Sequence, residues 1–508
     1  MHNLNLYTTL AASFPGERDE CAIETEHGLY YTWDDIEHGS ARIANLLKGA
    51  HLKPGERVLA QVDKSVEALL LYLATLRAGG VFVPLNTAYR AAELEYFIGD
   101  AAPGLVVCRP EDFSWLSRIA FRRGVRQVFT LGAERSGSLL ARAAAQSDRF
   151  RDEPTSRDDL AALIYTSGTT GRSKGAMLTH GNLVSNARVL QSYWAWQQND
   201  VLLHTLPMFH VHGLFVACHG ALINGSKMIF CTKFDTAQVL ALLPRSTVFM
   251  GVPTYYTRLL ADAKLDRARC SHMRLFIAGS APLLAETFDE FARRTGHTIL
   301  ERYGMSETLM LCSNPYDGPR VAATVGRPLP GVELRVADAS DRAALPGEVG
   351  EIQVKGDNVF KGYWQMPEKT ASEFTADGFF KTGDLGRWLR PEGASADYVS
   401  IVGRSKDLII TGGYNVYPKE IESFIDALPG VAESAVIGIP HADFGEAVVA
   451  VVVLRANAKT DEASLIVALR TLIANFKVPK RVHVVDELPR NTMGKVQKAL
   501  LRERFAVR

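Results

Sequence analysis

Charge of one sign, paired cysteines and long apolar runs are all missing from this sequence of 508 residues. Lys and Arg total 57 and Asp and Glu total 56, leaving a net charge of +1. That balance offers a polyanion nothing, so a general nucleic-acid binder is disfavoured. Cys21, Cys108, Cys218, Cys231, Cys270 and Cys312 lie scattered and form no CxxC pair. They read as reduced thiols of a cytoplasmic protein rather than as a disulfide framework. The longest uninterrupted apolar run, 447–454, falls far short of the ~20 residues a bilayer span needs. Residues 1–13 show no basic start leading into an apolar run, so neither secretion nor membrane association is expected. No repeat with a period of roughly 20–50 residues is visible, which argues against solenoids and propellers.

What is present is ordinary for a globular chain, 47 % hydrophobic and 22 % charged, with length for about three domain-sized units. A strand at 58–62 runs into a helix over 65–78, in which Ala68, Leu69, Tyr72 and Leu76 recur at helical spacing. Gly79-Gly80 ends that helix and a strand follows at 81–85. This βαβ order predicts a mostly parallel, helix-covered sheet. Residues 136–158 are polar and include a surface connection. After Gly331 the pattern changes to short strands parted by turns such as Leu345-Pro346-Gly347 and Asp377-Gly378, a β-rich unit reaching 403. An α+β unit follows, in which Pro418 opens a helix with Ile421, Phe424, Ile425 and Leu428 on one face. Pro429-Gly430 stops it, and 448–454 reads as a buried strand. The expected architecture is α/β: a large N-terminal domain over 1–403, with a β-rich subdomain at 331–403, then a small C-terminal domain over 404–508.

A buried strand at 160–165 runs into Thr166-Ser167-Gly168-Thr169-Thr170-Gly171-Arg172-Ser173-Lys174-Gly175. Glycines let backbone N–H groups approach phosphate oxygens, while hydroxyls and Lys174 add donors and charge. The plain alternative is a solvated turn. It is not a Walker loop, because Ser173-Lys174-Gly175 stands where Gly-Lys-Ser/Thr is required. The loop resembles the signature of the acyl-adenylate-forming superfamily, which comprises acyl-CoA synthetases, luciferases and peptide-synthetase adenylation domains. Further matches follow in the family's order: Arg302-Tyr303-Gly304-Met305-Ser306-Glu307, Thr382-Gly383-Asp384, Gly403-Arg404-Ser405-Lys406-Asp407, and Pro489-Arg490-Asn491-Thr492-Met493-Gly494-Lys495. The resemblance spans essentially the whole chain. Within the superfamily the text, including Pro207-Met208-Phe209-His210-Val211-His212-Gly213, is most similar to the malonyl-CoA synthetases.

A carboxylate resists thiol attack because it is anionic and lacks a good leaving group. Adenylation by ATP, with loss of pyrophosphate, supplies the leaving group, and a thiol then displaces AMP. The resemblance implies ATP, Mg²⁺ and coenzyme A. It implies that Glu307 and Thr166 serve the metal, whose preferred ligands are oxygens, and that Thr166 to Gly171 with Lys174 hold phosphates. Ser306 would touch the α-phosphate. Tyr303 would stack on adenine opposite Gly279-Ser280-Ala281-Pro282, with Glu301, Gly304 and Met305 in the same nucleotide site. Asp384 would accept from the ribose hydroxyls, and Arg404 would hold the ribose and phosphate region. Lys495 would bridge the acyl carboxylate and the α-phosphate during adenylation. The small domain would then pivot at Lys406 and bring Gly412-Gly413 to the thiol tunnel. Without the resemblance, Glu307 and Lys495 read as surface charges, Tyr303 as a core aromatic and Asp384 as a turn residue.

Arg302 departs from relatives that take neutral acids, many of which carry a small residue there. A buried Arg is costly unless paired. A second substrate carboxylate would pair it, which points to malonate; the alternative is a protein carboxylate such as Glu301. His210 and His212, two apart on an expected strand, would face one side. His210 would gate the acyl and thiol sites, and His212, with Ser280, would reach the malonate carboxylate. The nearest rivals are a synthetase for methylmalonate or another small dicarboxylate, and an adenylation enzyme loading a carrier protein. A non-catalytic nucleotide-binding regulator is the rival from another class. Lys495 would be a target for a lysine acetyltransferase and deacetylase, since acetylation removes its charge. A monomer and a homodimer both remain open.

Overall fold

The protein is described by a computed structural model, for all residues except 1–3, 167–172, 393, 412–413, 442–443, 492–493 and 507–508. Two sheets dominate the first three hundred residues. The first has six strands in the order Gln127–Thr130, Leu105–Cys108, Arg57–Gln61, Val81–Pro84, Leu160–Thr166 and Lys174–Thr179. All neighbours are parallel except the last pair. The βαβ unit is therefore present. Its helix, Val66–Arg77, starts where the Ser65 side chain accepts from Ala68 N–H, and every one of its residues is buried. That helix carries no solvent face, so a single apolar stripe is replaced by a run apolar nearly all round.

The second sheet has nine strands, in the order Arg327–Pro328, Leu309–Ser313, Leu300–Met305, Leu275–Ala278, Val248–Gly251, Val201–His204, Lys227–Phe230, Cys21–Thr25 and Tyr30–Thr32. Its interior is parallel and its edges antiparallel. The β-rich stretch forms a four-stranded antiparallel sheet of Val332–Ala337, Gly350–Gly356, Phe380–Leu389 and Tyr398–Arg404.

The C-terminal part is a five-stranded sheet with helices. Its interior strand Gly445–Leu454 absorbs the longest apolar run of the sequence. Val448, Ala450 and Val452 face one core, while Val449 and Val451 face another, so both sides of the strand are covered. Pro418 does begin a helix, Pro418–Asp426, with Ile421 and Ile425 buried. The helix ends before Leu428, which packs on the same core from beyond it. The expected surface connection at 136–158 contains a short helix, Ser138–Ala143. All six cysteines are free, and five of them are buried. Among the described residues no helix is long and apolar enough to cross a membrane.

Candidate active site

The strand Leu300–Met305 divides the site, because successive side chains of a strand point to opposite faces. Tyr303, on one face, is buried and donates from its hydroxyl to Asp384 Oδ2 at 2.6 Å. Asp384 lies within the strand Phe380–Leu389, not at a turn, and is the cross-strand partner of Arg404. Arg404 Nε closes the triad at 2.9 Å from Asp384 Oδ1, which holds the guanidinium above its ordinary pKa. Glu301 shares Tyr303's face. Its Oε1 accepts from Leu283 N–H at 3.2 Å and anchors the turn that carries Gly279, Ser280, Ala281 and Pro282. Its Oε2 is buried without a partner, and burial pushes the carboxyl up to about 8.

Arg302, on the other face, is 3 % exposed, and its Nε and Nη2 have no partner among the described residues. No ion pair joins it to Glu301 or to any other acid among the described residues, so the pairing weighed from sequence is not formed. Strand alternation explains this, since the two side chains diverge. Burial pushes the guanidinium down to about 9. Gly279 makes room for it, because a Cβ there would collide with the guanidinium. Ser280 beside it adopts the left-handed backbone at φ 72°, a conformation that costs of order 1 kcal/mol and concentrates at functional sites. Ser280 Oγ lies 3.2 Å from His212 Nδ1, while His212 Nε2 and His210 Nε2 are buried without partners.

The two histidines do not sit on a strand, which corrects the sequence reading. His212–Cys218 is a π-helix, a form that recurs at functional sites. Its residues are all buried, so apolar alternation carries no period there. Gly213 is pressed against the Pro207 carbonyl, where a side chain would clash. Burial holds His210 down to about 4 and, with Arg302 adding to it, His212 well below its ordinary value. Both are therefore neutral at physiological pH, and Arg302 supplies the positive charge beside them.

At the phosphate end, Leu160–Thr166 and Lys174–Thr179 pair antiparallel, with Thr166 opposite Lys174. Thr166 Oγ1 lies 3.4 Å from the Lys174 carbonyl. Ser167, Gly168, Thr169, Thr170 and Gly171 lie outside the described residues, as do Gly412 and Gly413. Lys174 Nζ sits over the Tyr363 ring at 4.2 Å, and Tyr363 donates to Glu307 Oε1 at 3.0 Å. Glu307 is buried, its carboxyl is raised by desolvation, and no cation among the described residues lies within ion-pair reach of it. Gly304, Met305 and Ser306 are half-buried in the same strand and the turn after it, and a side chain at 304 would strike the Leu309 carbonyl. Tyr363 was missed from sequence, where an aromatic without a charge or motif gives no signal.

Lys495 closes the site from the C-terminal part. Its turn is held by Asn491 N–H to the Lys495 carbonyl at 2.9 Å and by Lys495 N–H to Asn491 Oδ1 at 2.9 Å. Burial and the nearby Arg404 push its amine down to about 8. It lines a cleft of about 1450 Å³ together with Ser280, Glu301, Tyr303, Asp384 and Arg404. Lys406 lies in a single 3₁₀ turn, Ser405–Asp407, whose Asp407 takes Arg502 at 2.7 Å. Lys406 is lowered by burial and by Arg404. The ion pair Arg455–Glu286, in which Nη2 lies 2.7 Å from both carboxylate oxygens, joins the C-terminal sheet to the large part of the chain.

The family described as AMP-binding enzyme matches residues 11–364, and that described as AMP-binding enzyme C-terminal domain matches 420–495. The ATP-bound MatB of Rhodopseudomonas palustris superposes with a TM-score of 0.96 at 54 % identity, covering 100 % of this chain and 99 % of that one. The apo form of MatB, at the same identity and coverage, superposes with 0.86. This chain is thus more similar in overall geometry to the ATP-bound form than to the apo form. A malonate–CoA ligase of Arabidopsis thaliana is 36 % identical, over 96 % of this chain and 86 % of its own length.

Proposed function

We propose the following reaction for a chain that belongs to the family of AMP-binding enzymes. It binds ATP and ligates malonate to a thiol through malonyl-AMP, yielding malonyl-CoA, AMP and pyrophosphate with coenzyme A as acceptor. The observation that carries this reading is Arg302, buried with two nitrogens unpartnered beside a glycine that makes room for it. An apolar acid would leave that charge desolvated and alone, whereas the distal carboxylate of malonate satisfies it. The likeness to the plant malonate–CoA ligase supports the same substrate, and the likeness to ATP-bound MatB supports the nucleotide.

In this reading Arg302, His212 Nε2 and Ser280 hold the distal carboxylate, and the reacting carboxylate then faces the α-phosphorus. Its oxygen attacks phosphorus as the bond to pyrophosphate breaks. The Lys495 ammonium lies between the two anions and offsets the charge that builds on the α-phosphoryl oxygens. Tyr303 stacks on adenine, and Asp384, oriented by Tyr303 and Arg404, accepts from the ribose. Glu307 and Thr166 suit Mg²⁺: a buried carboxyl with no cationic partner among the described residues and a hydroxyl offer hard oxygen ligands. The ion, when bound, supplies Lewis-acid polarisation of the phosphates. The division falls at 403/404. Rotation about Lys406 then removes Lys495, brings Gly412-Gly413 to the thiol, and lets His210 gate its approach. Acetylation of Lys495 would stop the first half-reaction by removing its charge.

The test is CoA-dependent AMP formation from MgATP with malonate, methylmalonate, succinate, acetate and butyrate, each as sole acid. Strong preference for malonate is expected; preference for acetate or butyrate overturns the dicarboxylate pocket.

A further inference from the structure

One polar cluster outside the residues assigned so far joins the two large sheets. Lys64 follows the strand Arg57–Gln61 and stands just before the helix Val66–Arg77. Its Nζ lies 2.7 Å from His204 Nδ1 and donates to the His204 carbonyl at 3.0 Å. His204 ends the strand Val201–His204 of the nine-stranded sheet. Its ring stacks on Phe230 with centroids 5.1 Å apart, and Lys64 Nζ lies over the same ring at 4.5 Å. The other ring nitrogen, Nε2, lies 2.9 Å from the Gly213 carbonyl and 3.3 Å from Cys218 Sγ.

A carbonyl only accepts, so His204 Nε2 carries the ring proton and Nδ1 receives the lysine's N–H. The tautomer is thus set by Lys64 on one side and read by Gly213 on the other. Among the described residues no carboxylate lies within ion-pair reach of Lys64. Burial pushes its amine down to about 7 and His204 well below its ordinary range. A lysine held by an imidazole and a carbonyl is a costly device for stability alone. Its beneficiary is the backbone at 213. Gly213 is pressed against the Pro207 carbonyl on one side and tied to His204 through its own carbonyl. His212, the residue before it, begins the π-helix and meets Ser280.

We propose that Lys64 and His204 are positioning residues for the acyl pocket: Lys64 fixes the His204 tautomer, His204 pins the Gly213 carbonyl, and the pinned π-helix aims His212 at the carboxylate that Arg302 receives. The inference rests on the malonate reading and deepens it by naming what sets the pocket's geometry.

The test is steady-state kinetics with malonate, acetate and ATP varied in turn. Lys64→Met removes the ammonium, and His204→Asn keeps a contact for Lys64 but cannot reach Gly213. His204→Gln can donate to the Gly213 carbonyl. Lys64→Met and His204→Asn are each expected to raise the malonate KM about tenfold, to narrow the preference for malonate over acetate, and to leave the ATP KM within about threefold. His204→Gln is expected to restore most of the preference. A folded Lys64→Met or His204→Asn with the wild-type malonate KM overturns the positioning role. So does a variant in which the malonate and ATP KM values rise together, since general loosening moves both. Wild-type enzyme preferring acetate overturns the malonate reading itself, a result separate from either.

Discussion

Arg302 and Tyr303 are neighbours on one strand, yet their surroundings are opposite. On Tyr303's side the hydroxyl, the Asp384 carboxylate and the Arg404 guanidinium satisfy one another within 2.6 and 2.9 Å. On Arg302's side Nε, Nη2 and the Nε2 atoms of His210 and His212 are buried and idle. Tyr303's side is satisfied without a ligand, and the proposed reading gives it to the nucleoside. Arg302's side has buried donors to spare, and the same reading gives it to the distal carboxylate of the acid. A site with buried donors discriminates strongly against ligands that cannot engage them, because the donors are then left unpaired. On the proposed reading, nucleotide binding and choice of acid fall on opposite faces of six residues of chain.

The severest break of this contrast removes the residue that stands between the two ends. Lys495→Ala is expected to slow malonyl-AMP formation about 10²–10³-fold, the range for losing one preorganised charge stabiliser. Thioester formation from pre-made malonyl-AMP should change only a few-fold. Equal losses in both half-reactions, measured by single turnover, would remove Lys495 from the role given to it.

Arg302→Met strikes the acyl face alone. Loss of the charge partner is expected to lower kcat/KM for malonate about 10²-fold. Calorimetry should meanwhile show the ligand-free variant more stable by about 1–3 kcal/mol, since a buried guanidinium with unmet donors is replaced by an apolar chain. Added malonate should raise the melting temperature of the wild type but not of the variant. Tyr303→Phe is the counterpart on the nucleotide face. It costs Asp384 a donor, so stability is expected to fall by about 1 kcal/mol. The ATP KM should rise a few-fold while the malonate KM stays put. If either substitution disturbed the other substrate equally, the two faces would not be independent.

Glu301 sharpens the contrast, because it is the exception on the nucleotide face. The folded protein keeps its proton up to about pH 8, whereas the unfolded chain releases it in the usual carboxylate range. Between those limits the native state holds more protons than the unfolded state, so stability falls as pH rises, by up to about 1.4 kcal/mol per pH unit. Glu301→Gln keeps the acceptor for Leu283 N–H and should flatten that slope in melting curves taken from pH 5 to pH 8. An unchanged slope would mean that Glu301 is ionised in the folded protein.

How much of this was legible beforehand differs between the same regions. The βαβ unit at 57–84 was readable because Ala68, Leu69, Tyr72 and Leu76 keep helical spacing between two glycine-bounded strands. The buried strand at 448–454 was readable because an apolar run suits a strand covered on both sides, though the strand itself begins earlier, at Gly445. Arg302 stood out only against relatives that carry a small residue there, and its separation from Glu301 follows once the segment is known to be a strand. The π-helix was invisible: from Val211 to Gly220 every residue is buried, so hydrophobicity has no period to reveal. Tyr363 and the Lys64–His204 pair were invisible for another reason. Each acts on a partner far along the chain, His204 lying 140 residues from Lys64, and no local pattern marks such a contact.

The smallest effect is expected at the seam between the large part of the chain and the C-terminal sheet. Arg455 and Glu286 form an ion pair there through a single nitrogen, and their side chains are 52 % and 60 % exposed. Water and salt screen such a pair to about 0.2–1 kcal/mol. Arg455→Ala should therefore change the adenylation rate less than about threefold at low salt, and the difference should vanish as salt is raised. A larger, salt-insensitive loss would mean that the ATP-bound arrangement depends on the seam. The outcome expected instead leaves that arrangement to the cleft that Lys495, Arg404 and Asp384 line, the space the proposed reading gives to the nucleotide.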